Sequence, residues 1–88
     1  MAIPEGSDAQ AKLLGELLRE FREDRGIKQE VLASILGKRS QSFVAKIEQG
    51  SRKMGLIEFC EFAEAIGVDP VELLQEFLKR TDQPFGHR

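Results

Sequence analysis

Gln41-Ser42-Phe43-Val44-Ala45-Lys46-Ile47-Glu48-Gln49-Gly50 is the stretch on which the reading of the chain turns. Val44 and Ile47, three residues apart, place two apolar side chains on one side of a helix. Gln41, Ser42, Ala45 and Lys46 point elsewhere. The segment therefore predicts a short helix over 41–49 with an outer face of amide, hydroxyl and ammonium. Ser40 before it is a favourable N-cap, and Gly50 closes it. So short a helix needs neighbours to hold it.

Helical periodicity on both sides supplies them. Upstream, Val31, Leu32, Ile35 and Leu36 form the apolar face of a helix over about 29–36, with Ala33 small enough for close approach and Gly37 as its stop. Lys28 is a poor N-cap for it. Further upstream, Leu13, Leu14, Leu17, Leu18 and Phe21 recur at helical spacing and end near residue 25, before Gly26. Ser7 and Gln10 have the spacing of a capping box at its start. Downstream, Leu56, Phe59, Cys60, Phe62, Ala63 and Ile66 mark a helix over about 56–66. Asp69-Pro70-Val71-Glu72 then combines an N-cap carboxylate, proline at the first helical position and glutamate at the third. Leu73, Leu74, Phe77 and Leu78 line that fifth helix. The expectation is an all-α five-helix bundle with residues 9–80 as its one domain. Residues 1–8 are expected to form a disordered arm and residues 81–88 a loose tail.

Composition narrows the function. The chain has 88 residues, 41% of them hydrophobic, enough for one small core. One cysteine excludes an internal disulfide framework, and no stretch is apolar enough for a membrane span or signal peptide. A soluble cytoplasmic protein is expected. Charge is segregated. Residues 38–53 hold five Lys or Arg against Glu48 alone, net +4, whereas residues 1–37 carry −2 and residues 54–88 carry −4. A basic island in an acidic chain fits an anionic partner, and it equally fits a solvated helix face.

A helix-turn-helix pair with an amide-rich second helix suits the DNA major groove, where glutamine can bond adenine twice and lysine can donate to guanine. The helix start and the Gly50–Lys53 loop are expected to present backbone donors and cations to phosphates. Alternatives without chemistry stand beside these. Gln41 and Ser42 suit any helix start, and Lys46 suits any solvated face. Cys60 reads as a small core residue and Glu58 and Glu61 as solvated carboxylates. His87 lacks companion ligands, so no metal or cofactor site is expected. There is no nucleophile–base set and no phosphate-cradling loop, so an enzyme is not expected.

Leu18, Phe21-Arg22, Gly26-Ile27-Lys28-Gln29-Glu30, Leu32-Ala33, Leu36-Gly37, the 41–50 segment, and Ile57, Ala63, Ile66-Gly67-Val68-Asp69-Pro70 together resemble the lambda-repressor-like helix-turn-helix family of the Cro/C1 or XRE type. The resemblance spans about residues 13–78. It implies DNA base contacts by Gln41, Ser42 and Lys46. It implies backbone contacts by Gln29, Lys38, Arg39, Ser40, Phe43, Arg52 and Lys53, and a structural ion pair between Arg22 and Glu48. Ten residues separate Gly37 from Glu48, so the turn at Lys38-Arg39-Ser40 is one residue longer than is usual in the family. The implied function is sequence-specific, double-stranded DNA-binding transcription regulation. A homodimer is expected, held by the apolar Leu73–Leu78 stretch and Phe85. The acidic total keeps a second reading open, an antitoxin-like or adaptor module of the same fold with weak or no DNA binding.

Overall fold

The computed structural model describes residues 5–37 and 40–81, with side chains described from residue 9 onward. Five helices follow one another: α1 (Glu5–Asp24), α2 (Gln29–Ile35), α3 (Gln41–Gln49), α4 (Leu56–Ile66) and α5 (Pro70–Arg80). The segment 41–49 is a helix with the bounds its sequence predicts, and so is 56–66. No strand is present among the described residues.

The start of α1 differs from expectation. It begins at Glu5, so residues 5–8 of the expected arm are helical, and Ser7 lies inside the helix rather than capping it. The remainder of that arm, and the expected tail beyond Thr81 with Phe85 and His87, lie outside the described residues. Ser40 does occupy the N-cap position of α3, but its side chain makes no capping bond. Its hydroxyl pairs instead with that of Ser42 at 3.1 Å. Lys28, the poor cap, likewise gives α2 no side-chain bond. Asp69 caps α5 as its sequence predicts, its Oδ1 accepting from the Val71 amide at 2.9 Å.

Leu17, Leu18, Leu32, Val44, Phe62 and Leu73 are fully enclosed and come from all five helices, which makes one continuous core. α3 packs on both α1 and α2, while α5 packs on α1 and α4. The polar helix is thus clamped from behind and left open in front. The clamp is backbone-tight. A Cβ added to Gly15 of α1 would lie 2.4 Å from the Glu48 carbonyl oxygen. Gly50, in the left-handed region at φ 79°, sits so close to α1 that an added Cβ would lie 2.7 Å from the Lys12 Cα.

Several apolar residues expected inside face outward. Val31 and Ile35 of α2 are about half exposed, and only Leu32 and Ala33 of that helix are buried. Leu56 is 74% exposed, and Leu74 and Leu78 project from α5. A short helix resting on two neighbours buries a narrow stripe, so adjacent apolar residues cannot all reach the core.

Candidate nucleic-acid interface

Arg22 and Glu48 form the buried pair that the resemblance implies. Arg22 Nε donates to Glu48 Oε2 at 2.6 Å, and Nη2 donates to Oε1 at 3.0 Å. Nη1 donates to the Ile27 carbonyl at 2.6 Å, which ties the end of α1 to the turn before α2. Hydrogen bonds to the Glu48 carboxylate raise the Arg22 pKa above its ordinary value, and they outweigh the opposing effect of burial. The pair is therefore a fixed charge on which other groups orient.

The next group in line is Gln29. Its Nε2 donates to Glu48 Oε1 at 2.9 Å. A carboxylate only accepts, so the amide nitrogen of Gln29 must face it and the amide oxygen must face away. That oxygen accepts from Gln41 Nε2 at 2.5 Å. A relay Arg22–Glu48–Gln29–Gln41 thus runs from the core to the first residue of α3 and sets which end of each amide points where. Gln41 keeps its own oxygen and a second N–H for other partners. The family resemblance implies that Gln29 contacts phosphate and helps orient the recognition helix; its particular bonds to Glu48 and Gln41, which are distant in the chain, carry no local sequence signal.

Gln41, Ser42 and Lys46 are all exposed on the outer side of α3. Phe43 is half-buried, its ring centre 6.0 Å from that of Phe62, and the Arg52 guanidinium lies over the ring, 4.7 Å from its centre. Arg52 Nη2 also donates to Glu58 Oε2 at 3.1 Å, and Glu58 Oε1 accepts from the Gly55 amide at 3.3 Å. Glu58, expected as a plain solvated carboxylate, therefore holds both the loop cation and the start of α4. Lys53 is exposed on the same loop. Lys38 and Arg39 lie outside the described residues.

One expectation for the 50–53 loop is corrected. The Gly50 amide bonds the Ile47 carbonyl at 3.0 Å, and the amides of Ser51 and Arg52 bond the Lys46 carbonyl at 3.0 and 3.2 Å. Those donors complete the end of α3, so what these residues turn outward is side chain: the Ser51 hydroxyl, which itself bonds the Lys46 carbonyl at 3.2 Å, and the cations. The assembled face carries amides and ammonium on the helix and guanidinium on the flanking loop. That arrangement suits a polyanion with hydrogen-bonding groups set in a groove. Among the described residues there is no His, Cys, Asp or Glu cluster that could hold a metal. No described helix is long and apolar enough to cross a membrane.

Comparison with known proteins agrees with this geometry. A family model for the helix-turn-helix domain matches residues 13–76. The HTH-type transcriptional regulator y4dJ of Sinorhizobium fredii, described as uncharacterized, is 36% identical over 78 residues, spanning 88% of this chain and 95% of the relative. The crystal structure of the restriction-modification controller protein C.AhdI from Aeromonas hydrophila has a TM-score of 0.70 and 35% identity, covering 75% of this chain and 94% of that one. An XRE-family like protein from Pseudomonas syringae has a TM-score of 0.72 and 44% identity, covering 83% and 90%.

Proposed function

The chain belongs to the helix-turn-helix family of DNA-binding transcription regulators, of the XRE, lambda-repressor-like type, and from that membership we propose that it reads an operator with α3 in the major groove. The relay ending at Gln41 carries the reading. Glutamine recognises adenine through an oxygen that accepts from N6 and a nitrogen that donates to N7. Gln29 orients the Gln41 amide before DNA arrives, so little side-chain freedom remains to be lost on binding. Ser42 and Lys46 complete the base contacts.

Backbone contacts fall to Arg52, Lys53 and Ser40, with Lys38 and Arg39 from the preceding turn. Phe43 serves this grip by supporting the Arg52 guanidinium from below. Gln29 contributes through Gln41 first and touches phosphate second. The protein works in the cytoplasm as a regulator and has no catalytic role.

We further propose that it binds as a homodimer through α5. Val71, Leu74 and Leu78 are exposed at the spacing of one helical stripe. Set antiparallel against its own copy about Leu74, that stripe brings Val71 opposite Leu78. It is self-complementary, as a two-fold interface requires. Leu73, expected to share the interface, is fully enclosed in the core and takes no part.

Fluorescence anisotropy with a random-sequence duplex at increasing salt tests the DNA reading. Each neutralised phosphate contributes a slope of about −0.9 in log K against log salt. A steep slope is expected, less steep by about one in Lys53→Ala. No association at low salt would overturn the reading and favour an adaptor.

A further inference from the structure

Behind α3, on the far side of the loop from Gln41, lies an apolar cleft of about 240 Å³ between α1, the end of α3, residues 52–54 and α5. Leu14, Ile47, Met54 and Phe77 form its walls, and Arg52 and Lys53 stand in its lining beside them. Its apolar wall and its two cations set it apart from two other clefts. The cleft along α1 and α5 is lined chiefly by carboxylates, and that between α2 and α4 has two glutamates at its edge.

We propose that this cleft is an effector site for a small amphipathic anion, a carboxylate carrying a short acyl chain or a single aromatic ring. The size follows from the volume, which falls just below the ~300–1,000 Å³ of sites for drug-sized ligands. The apolar tail follows from the walls, and the negative head follows from Arg52 and Lys53. Arg52 has five N–H donors, of which Glu58 takes one, so its guanidinium can bind a second carboxylate while it stays on Phe43. The consequence for DNA follows from shared residues. A carboxylate on Arg52 and Lys53 competes with the backbone phosphates proposed for the same cations, so the ligand releases DNA. Only that release rests on the DNA-binding reading; occupancy of the cleft does not.

These 88 residues hold two methionines, Met1 and Met54, so a methionine-methyl NMR spectrum places one reporter in the cleft wall. Titration with sodium octanoate, sodium acetate and octan-1-ol, at constant ionic strength and without DNA, reads the site directly. Octanoate is expected to shift the Met54 methyl saturably. Acetate should produce no saturable shift, and octanol should bind at least about tenfold more weakly. Ala11→Leu, which fills the cleft from α1, should remove the octanoate response while leaving DNA affinity within about twofold. Lys53→Ala should weaken octanoate severalfold and leave octanol unchanged. Equal responses to octanoate and acetate, equal affinities for octanoate and octanol, or an unchanged octanoate response in Ala11→Leu would each overturn the proposal. A DNA titration in octanoate then tests release. A Met54 response with no effect on DNA would keep the site and remove its coupling.

Discussion

Gln41 can give an adenine only the oxygen and the N–H that Gln29 leaves to it. Two predictions follow at the scale of single residues. Gln41→Ala should reduce affinity by about 1–3 kcal/mol and relax discrimination at one base pair, whereas Arg52→Ala should weaken all sequences alike. Competition binding with single-base variants of a selected site separates the two patterns. The second prediction splits structure from reading. Removing either member of the buried Arg22–Glu48 pair alone should destabilise the fold by about 3–5 kcal/mol, because the other charge is left uncompensated. The double change Arg22→Met with Glu48→Leu should restore most of that stability, since a packed apolar pair replaces the ions. It should not restore selectivity at the Gln41 base pair, because Gln29 has lost the carboxylate that orients it. Arg22 also makes a pH statement. Its pKa is raised on folding, so its contribution is complete below the ordinary unfolded value and is lost only as pH rises through the higher folded value. Alkaline titration from pH 7 to 10 should leave this part of the stability intact.

At the scale of elements, two glycines let α1 touch the end of α3. Gly15→Ala forces a methyl into the Glu48 and Ile47 carbonyls, both within 2.5 Å of the added carbon. Overpacking of this kind costs about 1–3 kcal/mol. Thermal unfolding should show a loss of about 4–8 °C for each kcal/mol in a domain of this size. The element boundaries were legible beforehand because their signals are local: Gly37, Gly50 and Gly67 as stops, and Asp69-Pro70 as a start. The orientation of each helix was less legible. In α2 the apolar residues 31, 32, 35 and 36 share one arc of about 140°, and only the packing of α3 and α4 selects Leu32 from that arc for the core. The start of α1 was misread at Ser7 because a capping-box spacing also occurs inside continuous helices. The Arg22–Glu48 pair came from family resemblance. The links through Gln29 and from Arg52 to Glu58 depend on distances that no local pattern encodes.

At the scale of the whole molecule, a chain of net charge −2 meets a polyanion by segregating its charge. Of the acidic α4, Glu58 is paired with Arg52 of the basic loop, which offsets part of its charge where DNA would approach. α5 has the second task of holding two copies. Leu74→Glu places like charges on the two-fold axis while changing an exposed residue, so folding stability should move by about 0.5 kcal/mol or less. Sedimentation should show only monomer, and affinity for a two-fold site should fall to that for a half-site. Dimers that persist in this variant would remove α5 from the interface.

The most direct measurement is selection of bound duplexes from a random DNA pool, run in parallel with the wild-type chain and Gln41→Ala. The account predicts a two-fold symmetric consensus with half-sites about one helical turn apart, in which one adenine position per half-site loses its preference in the variant. No enrichment, or one consensus unchanged between the two proteins, would contradict it.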